Sequence, residues 1–251
     1  MTLFRSAAAL LLALALGMAP TASSSAVDAQ LLAQVHRVAI VASLGDRADI
    51  MLRGMTVFDT KGGNLPLPGS DLDDAASRLA AALLGSRFEI VPVTYDKTVF
   101  VRSDDVNPGG GAPSLKTLIR AMPPAVVDAY LVIRKQDFFL PYPDRYVMNG
   151  LGALRYRRIL PKSLVRNLNG TVFALNGIVF VDLEATLVEA GTGKILIDKD
   201  DMESIPEDEG DWADTPKAMT DAQAAKLRQR LAELVPKTVA ACLAKMHLSA
   251  P

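Results

Sequence analysis

The segment Asn176–Ile197 reads NGIVFVDLEATLVEAGTGKILI, and its pattern decides the fold. Asn-Gly at its start is typical of a two-residue hairpin turn, because both central positions of that turn need positive φ. The strand that follows alternates, with Val179, Val181, Leu183, Ala185 and Leu187 on one face and Asp182, Glu184 and Thr186 on the other. This alternation predicts one buried face and one wet face. Gly191-Thr192-Gly193 then predicts a second hairpin, which turns the chain into Lys194–Ile197.

Further strands are predicted upstream from apolar and β-branched runs. Val38–Leu44 is almost continuously apolar, which is typical of a strand covered on both faces, and we place it at the centre of the sheet. Ile50–Phe58 predicts a second strand, which forms a hairpin with the first across the polar turn Gly45–Asp49. Phe88–Val93 and Ala129–Ile133 predict two more strands. The stretch 62–69, rich in glycine and proline, predicts a loop.

Three main helices are predicted from caps and apolar stripes. Ser70 is the candidate N-cap of the first, which Gly85 ends. Ser114 is the candidate cap of the second, and Thr220 to Gln223 have capping-box spacing at the start of the third. Pro236 predicts either a kink in this third helix or two abutting helices. The predicted stripe of the first helix is Leu72, Ala75, Ala76, Leu79, Ala82 and Leu83.

These elements predict an α/β fold with α+β character. We expect a mixed β-sheet of about five to seven strands flanked by three main helices, with the long C-terminal helix docked on the sheet. Residues 30–251 are predicted to form a single domain. Within it, an irregular excursion containing at least one strand is predicted at 138–170, and an acidic loop at 198–219.

The first 29 residues have the pattern of a signal peptide. Arg5 precedes an apolar run from Ala7 to Ala19, and small residues follow that permit cleavage after Ala26 or Ala29. The run is too short to span a membrane, which takes roughly 20 apolar residues. No cysteine lies near the cleavage site, and no later segment is both long and uncharged. The sequence therefore predicts a cleaved signal and a soluble protein that is periplasmic or secreted.

Composition excludes several classes of protein. The net charge of -1 and the pI of about 6.1 give no overall field that would attract nucleic acid. The single Cys242 cannot form an internal disulfide, so disulfide-framework folds are excluded. Cys242 lies on the apolar stripe of the last helix, where we expect a small buried side chain rather than a reactive thiol.

No catalytic, cofactor-binding or metal-binding residue is predicted. The two histidines, His36 and His247, accompany no nucleophile in the sequence, which disfavours a Ser-His-Asp hydrolase or a histidine-based zinc enzyme. Gly191-Thr192-Gly193-Lys194 lacks the upstream glycine of a phosphate-binding loop, and Ile195 stands where such a loop has Ser or Thr. The acidic residues after Asp198 lack the spacing of a calcium-binding loop. We therefore expect no cofactor.

Two features indicate contact with a partner or an anion. Arg155, Arg157 and Arg158 belong to a basic cluster in the excursion, which suits an acidic lipid headgroup, an anionic glycan or an acidic loop of a neighbouring subunit. A solvated face is the simpler interpretation of that cluster. Trp212 is the one tryptophan and lies in the acidic loop, where it either anchors the loop to the body or contacts a partner.

Three segments are similar to segments of one protein family. They are Arg87–Pro92 (RFEIVP), Val127–Val132 (VDAYLV) and Leu187–Leu196 (LVEAGTGKIL). On these segments the chain resembles the bacterial envelope family that includes the curli-secretion channel lipoproteins, the activator lipoproteins of penicillin-binding proteins and the amino-terminal domain of TolB. The resemblance implies an α/β domain that works by contacting other envelope components. The lipid-modified cysteine is absent and Glu189 stands where the family has aspartate, so anchoring and channel formation do not carry over.

These observations predict an exported soluble envelope protein that is not an enzyme. It is expected to be an accessory or assembly factor acting through protein–protein contacts, with an envelope protein as its partner. One alternative is a ligand-binding or hydrolytic domain that uses Asp182, Glu184 and the basic excursion. A second alternative is a protein that associates with an anionic membrane surface or glycan through Arg155 to Arg158.

Overall fold

The computed structural model describes residues 31–53, 60–67, 72–96, 119–120, 126–139, 147–156, 177–207 and 218–248. The chain divides into two compact units, Met1–Gln34 and Val35–Pro251. In the first unit, residues 31–33 form a short helical turn, and the amide of Gln34 donates to the carbonyl of Leu31 at 3.0 Å. Every strand and both long helices described below belong to the second unit.

The second unit has the predicted α/β fold, built on an eight-stranded mixed sheet and a separate two-stranded one. The larger sheet has the order β3-β2-β8-β9-β5-β1-β4, and β10 pairs with β9. Helix α1 packs on β1, and the C-terminal helix α2 packs on β9, β10 and α1. The elements are β1 (Arg37–Ser43), β2 (Arg47–Arg53), β3 (Lys61–Pro66), α1 (Leu72–Leu84), β4 (Glu89–Ile90), β5 (Ala129–Lys135), β6 (Asp137–Phe139), β7 (Val147–Asn149), β8 (Leu151–Tyr156), β9 (Gly177–Glu189), β10 (Ile195–Pro206) and α2 (Asp221–Lys245).

Strand β9 holds two halves of the sheet together. Along one of its edges, Leu183–Glu189 pair with β5 and Gly177–Val181 pair with β8, while β10 runs along the other edge. Between the two halves, the amide of Asp182 donates to the carbonyl of Gly150 at 2.5 Å, and its carbonyl accepts from the amide of Gln136 at 3.0 Å. We call Gln136, Gly150 and Asp182 the sheet junction. From it, β6 and β7 leave the large sheet as a two-stranded ribbon.

The hairpin between β9 and β10 is confirmed, with Gly193 at a φ of 72°. Asn176, the first residue of the other predicted turn, lies outside the described residues. The predicted wet face of β9 is wrong, because Asp182 is only 9% exposed and Thr186 is fully buried. Polar side chains tolerate burial when they are hydrogen-bonded, and the hydroxyl of Thr186 donates to Asp198 at 2.8 Å.

The amino-terminal strands differ from the prediction in their partners. β1 is buried as expected, but it lies between β5 and the edge strand β4 rather than at the centre. β2 does not pair with β1; it pairs antiparallel with β3 and parallel with β8. The predicted loop at 62–69 begins as β3, since an edge strand tolerates the glycines and prolines that would weaken a central one.

Helix α1 begins at Leu72 and ends before Gly85, as predicted, and Ser70 lies outside the described residues. The carboxylate of Asp73 in its first turn accepts a hydrogen bond from the amide of Leu44 at 2.6 Å. This bond joins the end of β1 to the helix. The buried stripe is Leu72, Ala76, Ala80 and Leu84, so the predicted stripe is correct only in part and Ala82 is exposed.

Helix α2 is one continuous helix, so the alternative of two abutting helices is wrong. Its capping box is confirmed: Thr220 and Gln223 satisfy each other's backbone amides. Proline in a helix interior costs about 3 kcal/mol. Each fully buried Leu or Val side chain contributes roughly 1.5–3 kcal/mol. Burial of Leu234, Val235 and Val239 around Pro236 therefore outweighs the lost bond. No helix of the described residues has the length and apolarity needed to cross a membrane.

The first part of the acidic segment predicted as a loop at 198–219 is a strand, and residues 208–217 lie outside the described residues. Residues 198–206 belong to β10, which pairs with β9 along its length. Carboxylates are compatible with this position, because Asp198 and Asp200 of β10 are exposed to solvent. Within the predicted excursion at 138–170, β7 and β8 supply the strand that was expected.

Candidate functional site

Of the residues predicted to contact a partner, Arg155 alone lies among the described residues. Arg155 lies in β8, where its backbone is paired with Leu52 of β2 and Gly177 of β9. Arg157, Arg158 and Trp212 lie outside the described residues. The basic cluster and the tryptophan therefore stay predictions.

A row of polar side chains crosses four strands instead. The register places Ser43 of β1 beside Arg134 of β5, Arg134 beside Glu184 of β9, and Glu184 beside Asp200 of β10. Side chains alternate between the faces of a strand, so these four share one face of the sheet. The polar band on this face consists of Ser43, Arg134, Asp182, Glu184, Thr186, Asp198 and Asp200.

The polar band is acidic. Its one cation, the guanidinium of Arg134, donates through Nε to the carboxylate of Glu184 at 2.5 Å, and both side chains are largely buried. This ion pair is a charge-assisted hydrogen bond, the stronger kind of side-chain hydrogen bond. Asp198 and Asp200 are exposed, and together with Asp182 they give the band an excess of carboxyl groups. Such a surface attracts cationic side chains or ligands.

Asp182 is the most perturbed of these carboxyl groups. Burial raises its pKa to about 7, and the nearby charges of Asp200 and Asp201 raise it further while Lys245 opposes them. Asp182 therefore exchanges its proton near neutral pH. It lies two residues from Glu184 on the same face of β9.

Helix α2 lies on the face of the sheet opposite to the polar band, and its side chains bond to β10. The ammonium of Lys245 lies 3.0 Å from the carboxylate of Asp201 and donates to the carbonyl of Asp200 at 2.9 Å. Arg230 pairs with the buried carboxylate of Glu207 at 2.7 Å and donates to the carbonyl of Pro206 at 3.2 Å. The middle and the carboxyl end of β10 are thus tied to the same helix.

Cys242 is buried on α2, as predicted, with its Sγ 3.5 Å from the carbonyl oxygen of Leu183. Burial first, and then the charge of Asp201, raise the pKa of the thiol to about 12. Thiolate formation and access both control thiol reactivity.

We therefore expect the Cys242 thiol of the folded protein to resist an aromatic disulfide reagent at pH 8. Denaturation should increase its rate of labelling by more than about 100-fold, because it restores both access and an ordinary thiol pKa. The exposed Ala244 is two residues away, and the variant Ala244→Cys, made in a Cys242→Ser background, should react rapidly without denaturant. Equal rates for the two folded proteins would contradict a buried thiol.

Neither histidine contributes a side chain to the polar band. The amide of His36 donates to Asp128 at 3.0 Å, and the exposed His247 follows α2 with a φ of 54°. Among the residues that the structure describes, no group of three or more His, Cys, Asp or Glu could hold a metal ion.

Sequence reasoning identified Asp182 and Glu184 but missed Arg134 and Ser43. The available signal was the charged end of the run Ala129–Lys135, where Arg134 follows a buried strand. Nothing local indicates that Glu184 is its partner, because the two are 50 residues apart in the chain.

No family model matches the chain, and no curated protein matches it. Similar solved structures include a Xanthomonas campestris protein of the family DUF330, at 12% identity and a TM-score of 0.35, with 84% of each chain covered. The hypothetical protein CT253 of Chlamydia trachomatis is 11% identical with a TM-score of 0.29, and the match covers 82% of this chain and 99% of that one. Lipoprotein GNA1162 of Neisseria meningitidis is 11% identical with a TM-score of 0.27, covering 79% and 96%. These values are too low for an inference about activity or partners, and the family resemblance stated above stays a prediction.

Proposed function

We propose that this protein is an exported, non-enzymatic envelope protein that binds another envelope protein through the acidic face of its sheet. The export signal read from residues 1–29 and the resemblance to envelope proteins support the location. The polar band supports the mode of action, and it is the observation on which the proposal depends.

The negative charge of the polar band indicates which charge the partner surface carries. Arg134 is engaged by Glu184, so the exposed carboxylates of Asp198 and Asp200 face solvent with no second cation among the residues of the band. Complementary charge accelerates association and selects against acidic partners. The partner surface is therefore basic, with Lys or Arg side chains placed to meet Asp198 and Asp200.

A photocrosslinking amino acid at position 200 is expected to give a discrete crosslinked partner in cells that express the full chain. The same amino acid at position 225, which is exposed on α2, should not give that product. The double variant Asp198→Lys, Asp200→Lys, with the crosslinker moved to position 204, should lose the product through charge repulsion. The variant Asp221→Lys, Glu233→Lys changes the net charge equally at exposed sites on α2 and serves as the matched control. A product that survives reversal of the band, or that is lost equally in the control, would contradict the proposal.

A further inference from the structure

In the described part of the chain, no strand pairs with the outer edge of β10, and the register of β10 with β9 shows which residues form that edge. Asp182 bonds through its backbone to the side of β9 that carries β5 and β8. In an antiparallel pair, successive residues direct their backbone groups to opposite sides. Odd-numbered residues of β9 therefore bond to β10, and their partners from Ile197 to Ile205 are odd-numbered as well. The backbone groups of Asp198, Asp200, Met202, Ser204 and Pro206 point away from β9.

Side chains cover some of these outward groups. Lys245 donates to the carbonyl of Asp200 at 2.9 Å, and Arg230 donates to the carbonyl of Pro206 at 3.2 Å. The carboxylate of Asp201 accepts from the amide of Met202 at 2.9 Å. Pro206 itself has no amide to offer, which suits an edge position. Flexible side chains thus occupy the places where a further strand would bond.

The side-chain hydrogen bonds on the outer edge of β10 are easier to replace than the backbone bonds of a paired strand. The side chain of Lys245 is half exposed, and an exposed ion pair contributes little, about 0–1 kcal/mol. A strand that bonded to β10 would replace the Lys245 bond with a backbone bond and would release Lys245 to solvent. Exposed edge strands are the usual site of such strand addition.

We propose that the edge of β10 from Asp198 to Ser204 is a surface for addition of an extended, cationic strand. The inference rests on the proposed function and names the mode of binding. The occupant is a segment of a partner protein in extended conformation, with Lys or Arg at alternate positions. Those side chains would lie on the same face as Asp198 and Asp200, because neighbouring strands in register share a face.

The test measures binding of a fluorescent peptide, Lys-Val-Lys-Val-Lys-Val-Lys, to the full chain by fluorescence anisotropy. We expect saturable binding that weakens at high salt, and no binding of the Glu-Val peptide of equal length. A Lys-Val peptide with N-methyl groups on alternate residues keeps its charge but loses its backbone donors on one edge. The version methylated on the edge that faces β10 should bind at least tenfold more weakly.

Two variants test the protein side of the contact. Ser204→Pro removes an outward amide that is not used in pairing with β9, and should weaken the peptide at least fivefold while circular dichroism stays unchanged. Lys245→Met uncovers the carbonyl of Asp200 and should tighten the unmodified peptide, but not the N-methylated one. Lys237→Met removes the same charge from an exposed site on α2 and should have no effect.

The outcomes separate the two proposals. Equal binding of the unmodified and both N-methylated peptides would overturn strand addition, and would leave a purely electrostatic contact at the polar band. The same conclusion would follow from absence of peptide binding while the crosslink at position 200 persists. If Ser204→Pro does not fold, the N-methylated peptides still decide the question on the unmodified protein.

Discussion

Replacing Gly150 by alanine is expected to lower the free energy of unfolding by about 4 kcal/mol or more, or to prevent folding altogether. Gly150 has a φ of +21°, a conformation that side chains disfavour. A Cβ there would collide with the carbonyl oxygen of Asp182 and would lie 2.7 Å from the carbonyl oxygen and 2.9 Å from the amide nitrogen of Gln136. All three atoms belong to the backbone of the sheet junction, so no side chain can move aside. Urea denaturation followed by circular dichroism measures the effect.

Gly62 offers the matched control for this substitution. It also lies in a strand, but the nearest described atom that a Cβ there would meet is the carbonyl oxygen of Ile50, at 4.0 Å. Gly62→Ala is expected to change the free energy of unfolding by less than about 1 kcal/mol. If Gly150→Ala were as well tolerated as Gly62→Ala, the sheet would not branch where the structure places the junction.

The second large effect concerns pH. Asp182 has a pKa of about 7 in the folded protein, against 3.8 as its ordinary value, so the folded chain binds a proton that the unfolded chain releases between these two values. The stability that this proton contributes is complete below about pH 4 and is lost as the pH rises towards 7. At about 1.4 kcal/mol per pKa unit, the shift corresponds to an upper limit of about 4 kcal/mol. Partial solvent screening reduces this to about 2 kcal/mol.

We therefore expect Asp182→Asn to be more stable than the parent protein at pH 8, and to lose the decline in stability between pH 4 and 7. Chemical denaturation at several pH values measures both effects. Asp128→Asn serves as a control, because the pKa of Asp128 is shifted in the opposite direction. Hydrogen bonds from the amides of Arg37 and then His36 lower the pKa of Asp128, so its contribution is lost as the pH falls. If the stability of Asp182→Asn declined between pH 4 and 7 as steeply as that of the parent protein, another group would be responsible for the decline.

The parts of the fold that the sequence predicts correctly are those with local causes. The Thr220 capping box, the turn at Gly193 and the burial of Cys242 each depend on residues within a few positions of one another. The partner of β2 is not local. A strand after a short polar turn ordinarily pairs with the strand before it, but β2 pairs in parallel with β8, about 100 residues further along the chain. No periodicity in either strand carries that information.

The sequence also predicts only those features of the candidate site that have local causes. The alternation of β9 places Asp182 and Glu184 on one face, and the structure confirms that they share it. The prediction that this face is wet fails because the compensating groups come from other strands, with Arg134 from β5 and Asp198 from β10. Polarity in a sequence indicates exposure only where such partners are missing. The perturbed pKa of Asp182 likewise arises from tertiary contacts, chiefly burial.

The position of β9 in the branched sheet also determines the order in which the molecule can be assembled. β1 with β5, and β2 with β8, are parallel pairs whose members are about 90 to 100 residues apart, so closing them costs chain entropy before it gains contacts. Among the described strands, only β9 bonds to both halves, and it follows in the sequence all the strands that it joins except β10. We therefore expect the two half-sheets to join only once β9 is in place, because a chain that ends before residue 177 lacks the strand that bonds to both of them.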